Sequence, residues 1–248
     1  MSDYDPIARF YDADHASFGD DVAFYRELAR RAGDPVLELM CGSGRLLLPL
    51  AQSGRRVLGI DNSRAMLELA RERARQAGLE QRITLRYADA REPIAGGPFA
   101  LAIVGLNSFM HLATPDEQLA TLGHIHDALR PGGLLAIDLF NPNPRLIAEY
   151  DNELVFDKQF TLPDGTRVQK FVAQQVDAAE QINYVTFLYD EQARDGHIRR
   201  HSIQMDMRWV YRFELEHLLA RSGFELEHVY GSYELDPFRS DSEIMLAV

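Results

Sequence analysis

Over about the first 140 residues, short apolar runs alternate with segments whose apolar side chains recur at helical spacing. Residues 36–41 read as a buried strand, followed by Gly42-Ser43-Gly44 and an apolar helical stretch over 45–52. Residues 56–61 predict a second strand. Ser63 is an N-cap for a helix over about 64–76, with Met66, Leu69, Ala70 and Arg73 on one face and Gly78 closing it. Residues 83–89 and 99–106 predict two more strands, the latter almost without polar residues, as a central parallel strand covered on both faces should be. Thr114-Pro115-Asp116-Glu117 supplies an N-cap, a first-turn proline and a capping-box glutamate for a helix reaching Leu129. Pro131-Gly132-Gly133 stops that helix, and 134–140 is the fifth strand.

After Tyr150 the pattern changes. Residues 166–177, 183–190 and 197–210 alternate apolar and polar positions, separated by turn-rich stretches at 177–181 and Asp195-Gly196. Helical spacing returns over 211–221 through Phe213, Leu215, Leu218 and Leu219, closed by Gly223. Two last strands, 224–233 and 243–248, are joined at Asp236-Pro237. Five strands with helical crossovers predict an α/β fold with a doubly wound, mostly parallel sheet. The expectation is a single domain over 1–248, with an N-terminal helical cap over 1–33 and an antiparallel β insertion over 150–210.

Charge narrows the partners. Acids outnumber bases 38 to 26, a formal net charge of −12, which disfavours a nucleic-acid ligand that needs Lys and Arg against phosphates. The single cysteine, Cys41, cannot form an internal disulfide, which suits a reducing compartment, and a cytoplasmic location is expected. The first residues show no basic stretch leading into an apolar run, and no segment approaches the ~20 apolar residues of a membrane span. Histidines and acids show no metal-ligand spacing, so no metal site is expected.

The chemistry concentrates around Val36-Leu37-Glu38-Leu39-Met40-Cys41-Gly42-Ser43-Gly44-Arg45. A glycine turn between a first strand and a first helix lets a ligand approach the backbone, at the sheet end where open α/β folds bind ligands. Asp61 ends the second strand, where a carboxylate accepts from ribose hydroxyls, or caps the next helix with Ser63. Asp89 ends the third, where it can accept from an adenine amine, and Glu38 beside the turn suits an ammonium group. A nicotinamide-dependent oxidoreductase is the rival reading, but Leu47 stands where its third glycine belongs. A cofactor-binding regulatory protein without catalysis is the other.

Glu38-x-x-x-Gly42-x-Gly44, Asp61, Ala88-Asp89-Ala90 and Leu129-Arg130-Pro131-Gly132-Gly133 resemble the successive motifs of class I S-adenosylmethionine-dependent methyltransferases. The resemblance implies a seven-stranded Rossmann-like sheet whose last strand runs antiparallel between strands five and six. It implies S-adenosylmethionine as cofactor and S-adenosylhomocysteine as product. Glu38, Leu39, Met40, Gly42 and Gly44 would line the methionine end and sulfonium, and Asp61 would hold the ribose with Asn62 and Met66 nearby. Asp89 would read the adenine amine, Ala90 would flank the ring, and Leu106 and Asn107 would border sulfonium and substrate. Met40 departs from the family, which commonly has a small residue there; its side chain must point away or reshape the pocket.

Tyr4-Asp5-x-Ile7-Ala8-x-x-Tyr11-Asp12 is similar to the segment closing over the cofactor in glycine and sugar-amine N-methyltransferases, where tyrosines such as Tyr11 would bond the methionine carboxylate. The bland alternative is an amphipathic helix packing Ile7, Phe10 and Tyr11. His111, just after strand four, resembles the histidine that faces the acceptor in sugar-amine N-methyltransferases. Its near-neutral titration suits a general base, the alternative being a loop residue bonded to backbone. The expected acceptor is a small molecule, methylated on nitrogen first and oxygen second. Tyr4, Phe109, Asn141, Arg208, Trp209 and Tyr211 are its candidate contacts, with Trp209 and Tyr211 either walling it or belonging to the insertion core. The insertion is also where a homodimer would form.

Overall fold

The computed structural model describes residues 2–193 and 196–248, so Asp195 of the expected Asp195-Gly196 turn lies outside the described residues. Two helices, α1 (Ala8–His15) and α2 (Val22–Ala32), precede β1 (Val36–Leu39), α3 (Leu47–Gln52), β2 (Val57–Asp61), α4 (Arg64–Gln76) and β3 (Ile83–Tyr87). Then come β4 (Phe99–Val104), α5 (Pro115–Ala128), β5 (Leu129–Phe140) and a short α6 (Pro144–Tyr150). Four strands follow, β6 (Leu154–Thr161), β7 (Arg167–Asp177), β8 (Ile182–Gln192) and β9 (Ile198–Arg208). The described chain closes with α7 (Arg212–Arg221), β10 (Val229–Tyr230) and β11 (Ile244–Ala247).

The main sheet has the order β10-β11-β5-β4-β1-β2-β3, with β11 antiparallel to both of its neighbours. Strand order reverses between β1 and β4, and at such a switch point the carboxyl ends diverge and leave a crevice. The pleat explains the layering. Leu37 and Leu39 of β1 belong to the core shared with α5 and α7, whereas Val36 belongs to the core shared with α2, α3 and α4. All six residues of β4 are buried, as a strand covered on both faces requires.

Local chemistry sets the helix starts. Ser63 Oγ accepts from the Met66 N–H at 3.2 Å. Thr114 and Glu117 close the expected capping box. α4 is rotated slightly from the expected face: Met66, Leu67, Ala70 and Ala74 are its buried residues, and Arg73 makes polar contacts instead. Phe213 of α7 is 68% exposed, outside the core that Leu215, Leu218 and Leu219 enter.

The insertion differs from expectation in strand count. It is a four-stranded antiparallel sheet, β6-β7-β8-β9, whose edge strand β6 alternates too little to be legible, being exposed along nearly its whole length. α6 was equally illegible, with no buried residue to give it a period. The expected strand over 224–233 shrinks to Val229 and Tyr230. β5 starts earlier than expected, since Leu129 already pairs with Phe99 before an irregularity in register carries the pairing to Leu134.

The N-terminal cap is pinned to the insertion. Ile7 and Phe10 are buried with Leu162, Val168, Tyr189, Ile203 and Met205, and Phe10 stacks on Tyr189 at a centroid distance of 5.2 Å. Each such side chain contributes ~2 kcal/mol when withdrawn from water. Arg9 pairs with Glu191, and Asp14 pairs with Lys158 and Lys170, tying α1 to β6, β7 and β8. Among the described residues no helix is long and apolar enough to cross a membrane.

Candidate active site

The crevice at the switch point is a groove with two compartments. The smaller, about 220 Å³, holds Glu38, residues 40–46, His15 and Arg73. The larger, about 960 Å³, holds Asp61, Asn62, Met66, Asp89, Ala90, Tyr4 and His111. Tyr11, Met40, Gly42, Leu106 and Ser108 line both.

The glycine turn is tied to β2 by Asp61, which accepts the Gly42 N–H at 2.8 Å and the Ser63 N–H at 2.7 Å. Burial holds this carboxyl above its ordinary range against those bonds. Gly44 has φ +80°, and a Cβ there would come within 3.1 Å of the Ala70 Cβ, so only glycine lets α4 pack so close to the turn. Met40 has φ +57°, the same left-handed region, which explains why a small residue suits its position. Its side chain packs against the core and lines both compartments, so it reshapes the groove rather than turning away. Cys41 is buried and its thiol is pushed well up by desolvation, which leaves packing as its role.

Glu38 supplies the groove's unpaired acid. It is 6% exposed, its Oε2 is buried without a hydrogen-bond partner, and burial pushes its carboxyl up to about 8. A buried acceptor left unpaired is costly, and an ammonium group entering the smaller compartment would answer it. That orphaned oxygen fits the amino end of S-adenosylmethionine.

The N-terminal segment crosses the groove. Ser2 Oγ donates to Asn62 Oδ1 at 2.9 Å, and Asp5 Oδ1 accepts from Ser63 Oγ at 2.7 Å and from the Ala65 N–H at 3.2 Å. Asp12 pairs with Arg73 at 2.8 Å, and Arg73 also donates to Ser43 Oγ at 3.2 Å. Ile7 and Phe10 are buried against the insertion, while Tyr11 lines the groove.

Asp89 is engaged by Arg91, whose Nε and Nη2 donate to its two oxygens at 2.9 and 2.7 Å, and Arg91 also reaches Glu117. These bonds hold the Asp89 carboxyl below its ordinary range. Arg91 does not cover it, and Asp89 lines the larger compartment beside Ala90. Asp89→Ala is expected to weaken S-adenosylmethionine binding about tenfold by calorimetry, the size of one hydrogen bond to a charged group. Unchanged affinity would remove Asp89 from the site.

His111 ends a 3-10 turn (Ser108–His111) and faces the larger compartment, with its Nε2 2.9 Å from the Tyr4 hydroxyl. Desolvation pushes the imidazole down to about 4, which corrects the expected near-neutral titration. It is therefore neutral throughout the physiological range.

Seven expected site residues stand away from the groove. Leu39 and Phe109 are fully buried core, because the pleat and the 3-10 turn aim them into the layer beneath. Asn107 uses its side chain to accept the Phe140 N–H. Asn141 donates to the carbonyls of Arg239, Ser240 and Ser242, fastening the loop before β11. Arg208 is buried between Gln118 and Glu214, Trp209 is core, and Tyr211 sits at the start of α7. In place of these, β9 presents Gln204, Met205 and Asp206 to the larger compartment, and α1 and α4 present His15 and Arg73 to the smaller one. The alternation of β9 was legible, but which of its faces turns to the groove was not. Among the described residues no group of three His, Cys, Asp or Glu side chains could hold a metal ion.

Residues 36–133 match the family described as "Methyltransferase domain". The cypemycin N-terminal methyltransferase of a Streptomyces species is 27% identical over 216 residues, 87% of this chain and 82% of that one. Three further curated methyltransferases, 34–38% identical, align over 40–45% of their own length. The CcbJ methyltransferase of Streptomyces caelestis shares the fold with a TM-score of 0.79, at 23% identity over 95% of this chain and 94% of that one. The sugar N-methyltransferase KedS8 of a Streptoalloteichus species does so with a TM-score of 0.76, at 19% identity over 96% and 90%. A sheet with this strand order and a glycine turn backed by Glu38, lying inside the stretch that matches a methyltransferase domain, support an S-adenosylmethionine-dependent methyltransferase with the class I fold.

Proposed function

We propose that this enzyme methylates the nitrogen of a small amine, with His111 as the proton acceptor. The observation that carries the reading is a neutral imidazole on the wall of the larger compartment, which Leu106 also lines, 2.9 Å from the Tyr4 hydroxyl. When bound, the cofactor supplies an electrophilic methyl group on sulfur, and most of the catalysis is then alignment. Positive charge grows on the attacking nitrogen as its bond to carbon forms, and its N–H becomes a stronger donor. A neutral imidazole there accepts that hydrogen bond and can take the proton on to solvent. The Nε2–H of the neutral ring donates to the Tyr4 hydroxyl oxygen, which fixes the ring and leaves Nδ1 unprotonated to accept from the amine. Asp3 and Asp206 border the same compartment and favour an amine that arrives as a cation.

The names of two similar proteins, an N-terminal methyltransferase and a sugar N-methyltransferase, agree with nitrogen as the target. The same proposal has two copies meet through the insertion, whose edge strand exposes Leu154 and Phe156. The deciding experiment incubates the enzyme and S-adenosylmethionine with amino sugars, simple amines, a peptide with a free N-terminus, and phenolic or sugar hydroxyl acceptors. Mass spectrometry is expected to find methyl gain on nitrogen in the amine set. Transfer confined to hydroxyl acceptors would overturn the reading.

A further inference from the structure

Asp138 of β5 is 2% exposed, yet three donors bond to its carboxylate. Oδ2 accepts from the hydroxyls of Tyr25 in α2 and Tyr233 in the loop before β11, each at 2.9 Å. Oδ1 accepts the Asn107 N–H at 3.2 Å, an N–H shared with the Asp138 backbone carbonyl at 3.3 Å, and the neighbouring Leu106 N–H also favours the ionised carboxylate. Burial pushes this carboxyl up, and these N–H and O–H groups pull it back.

The backbone that carries the two N–H groups is unusual. Leu106 has φ +50° and Asn107 has φ +60°, consecutive left-handed residues without a glycine between them. Such a conformation persists only where the surroundings over-determine it. Asp138 does this by accepting the Asn107 N–H, with the Leu106 N–H beside the same carboxylate, and the Asn107 side chain adds its bond to the Phe140 N–H. The segment so held is central to the groove. Leu106 lines both compartments, and the turn that begins after Asn107 presents His111.

We propose that Asp138 is a positioning residue for methyl transfer, acting through the left-handed backbone of Leu106 and Asn107 to set where His111 stands. The proposal rests on the reading of His111 as the residue that faces the acceptor. Asp138 touches neither ligand compartment and is no catalytic residue.

The test compares Asp138→Asn, which keeps size but replaces one acceptor oxygen by a donor, with the double variant Tyr25→Phe/Tyr233→Phe. The double variant removes two donors from the far oxygen and leaves the loop contacts in place. Two readouts are taken: kcat against cofactor Kd, and the ring nitrogen resonances of His111 in the S-adenosylhomocysteine complex, assigned by His111→Ala. In Asp138→Asn, kcat is expected to fall at least tenfold and by more than the cofactor Kd rises, with displaced His111 resonances. In the tyrosine double variant, melting temperature is expected to fall while kcat stays within threefold and the resonances stay put. Unmoved His111 resonances in Asp138→Asn would overturn the proposal, as would a tenfold kcat loss in the double variant. The latter arm decides even if Asp138→Asn fails to fold. A wild-type enzyme inactive on every amine would sink the amine reading alone, because the resonances still report on Asp138.

Discussion

Glu38→Gln is expected to bind S-adenosylmethionine at least thirtyfold more weakly than the wild type, by about 2 kcal/mol or more, while being no less stable without it. The wild-type carboxylate is buried, has an unpartnered oxygen, and is lifted from an ordinary 4.5 to about 8. A carboxyl raised in this way takes up a proton on folding between those two values. Its contribution to the stability of the free enzyme therefore falls as pH climbs through that window, and an uncharged glutamine escapes the loss. The incoming ammonium needs the ionised form, so affinity should fall about tenfold per pH unit below 8, with close to one proton released on binding at pH 7. Calorimetry in buffers of different ionisation enthalpy measures that proton directly. The glutamine variant should show neither the release nor the slope below pH 8. A wild-type affinity flat between pH 6 and 8 would mean that Glu38 does not meet the ammonium.

His111→Ala is expected to lower kcat by ~10²-fold or more, the lower range for a group that handles a proton in the transition state. Cofactor affinity should stay within a few-fold, because the imidazole's hydrogen bond is to Tyr4 and not to Glu38, Asp61 or Asp89. The pH profile carries a second, independent expectation. With the imidazole pushed down to about 4, its basic form is present at every pH where the enzyme is assayed. The rate on an amine should thus rise with pH toward the acceptor's own ionisation, without an inflection near 6.5. An inflection there that vanishes in His111→Ala would show that ligand binding returns the ring to ordinary titration. Normal turnover by the alanine variant would remove His111 from the chemistry.

Much of the fold was legible because it is set by short-range physics. Apolar periods of two and 3.6 residues marked the strands β1 to β4 and the helices α4, α5 and α7 within a few positions. Ser63 and the pair Thr114 and Glu117 cap their helices by bonds spanning three residues, a distance over which a motif and its geometry are nearly the same thing. The glycine turn was legible for a similar reason, since Gly44 leaves room for a neighbouring helix that the turn itself directs. What failed locally failed for want of a period: β6 and α6 bury almost nothing, so no alternation marks them.

An α/β sheet, a glycine turn at its first crossover and the acids ending successive strands were therefore legible from residue order. What those groups experience is set by long-range packing. Tyr4 meets His111 across 107 positions and Tyr25 meets Asp138 across 113, pairings that no local pattern encodes. The low titration of His111 and the high one of Glu38 both come from desolvation, a property of the surrounding packing rather than of the residue. Likewise Trp209, Arg208 and Phe109 had the right chemistry for an acceptor wall, but the sheet and turn that carry them direct them into the core. Residue type limits which chemistry is available, and long-range packing selects which residues reach the groove to perform it.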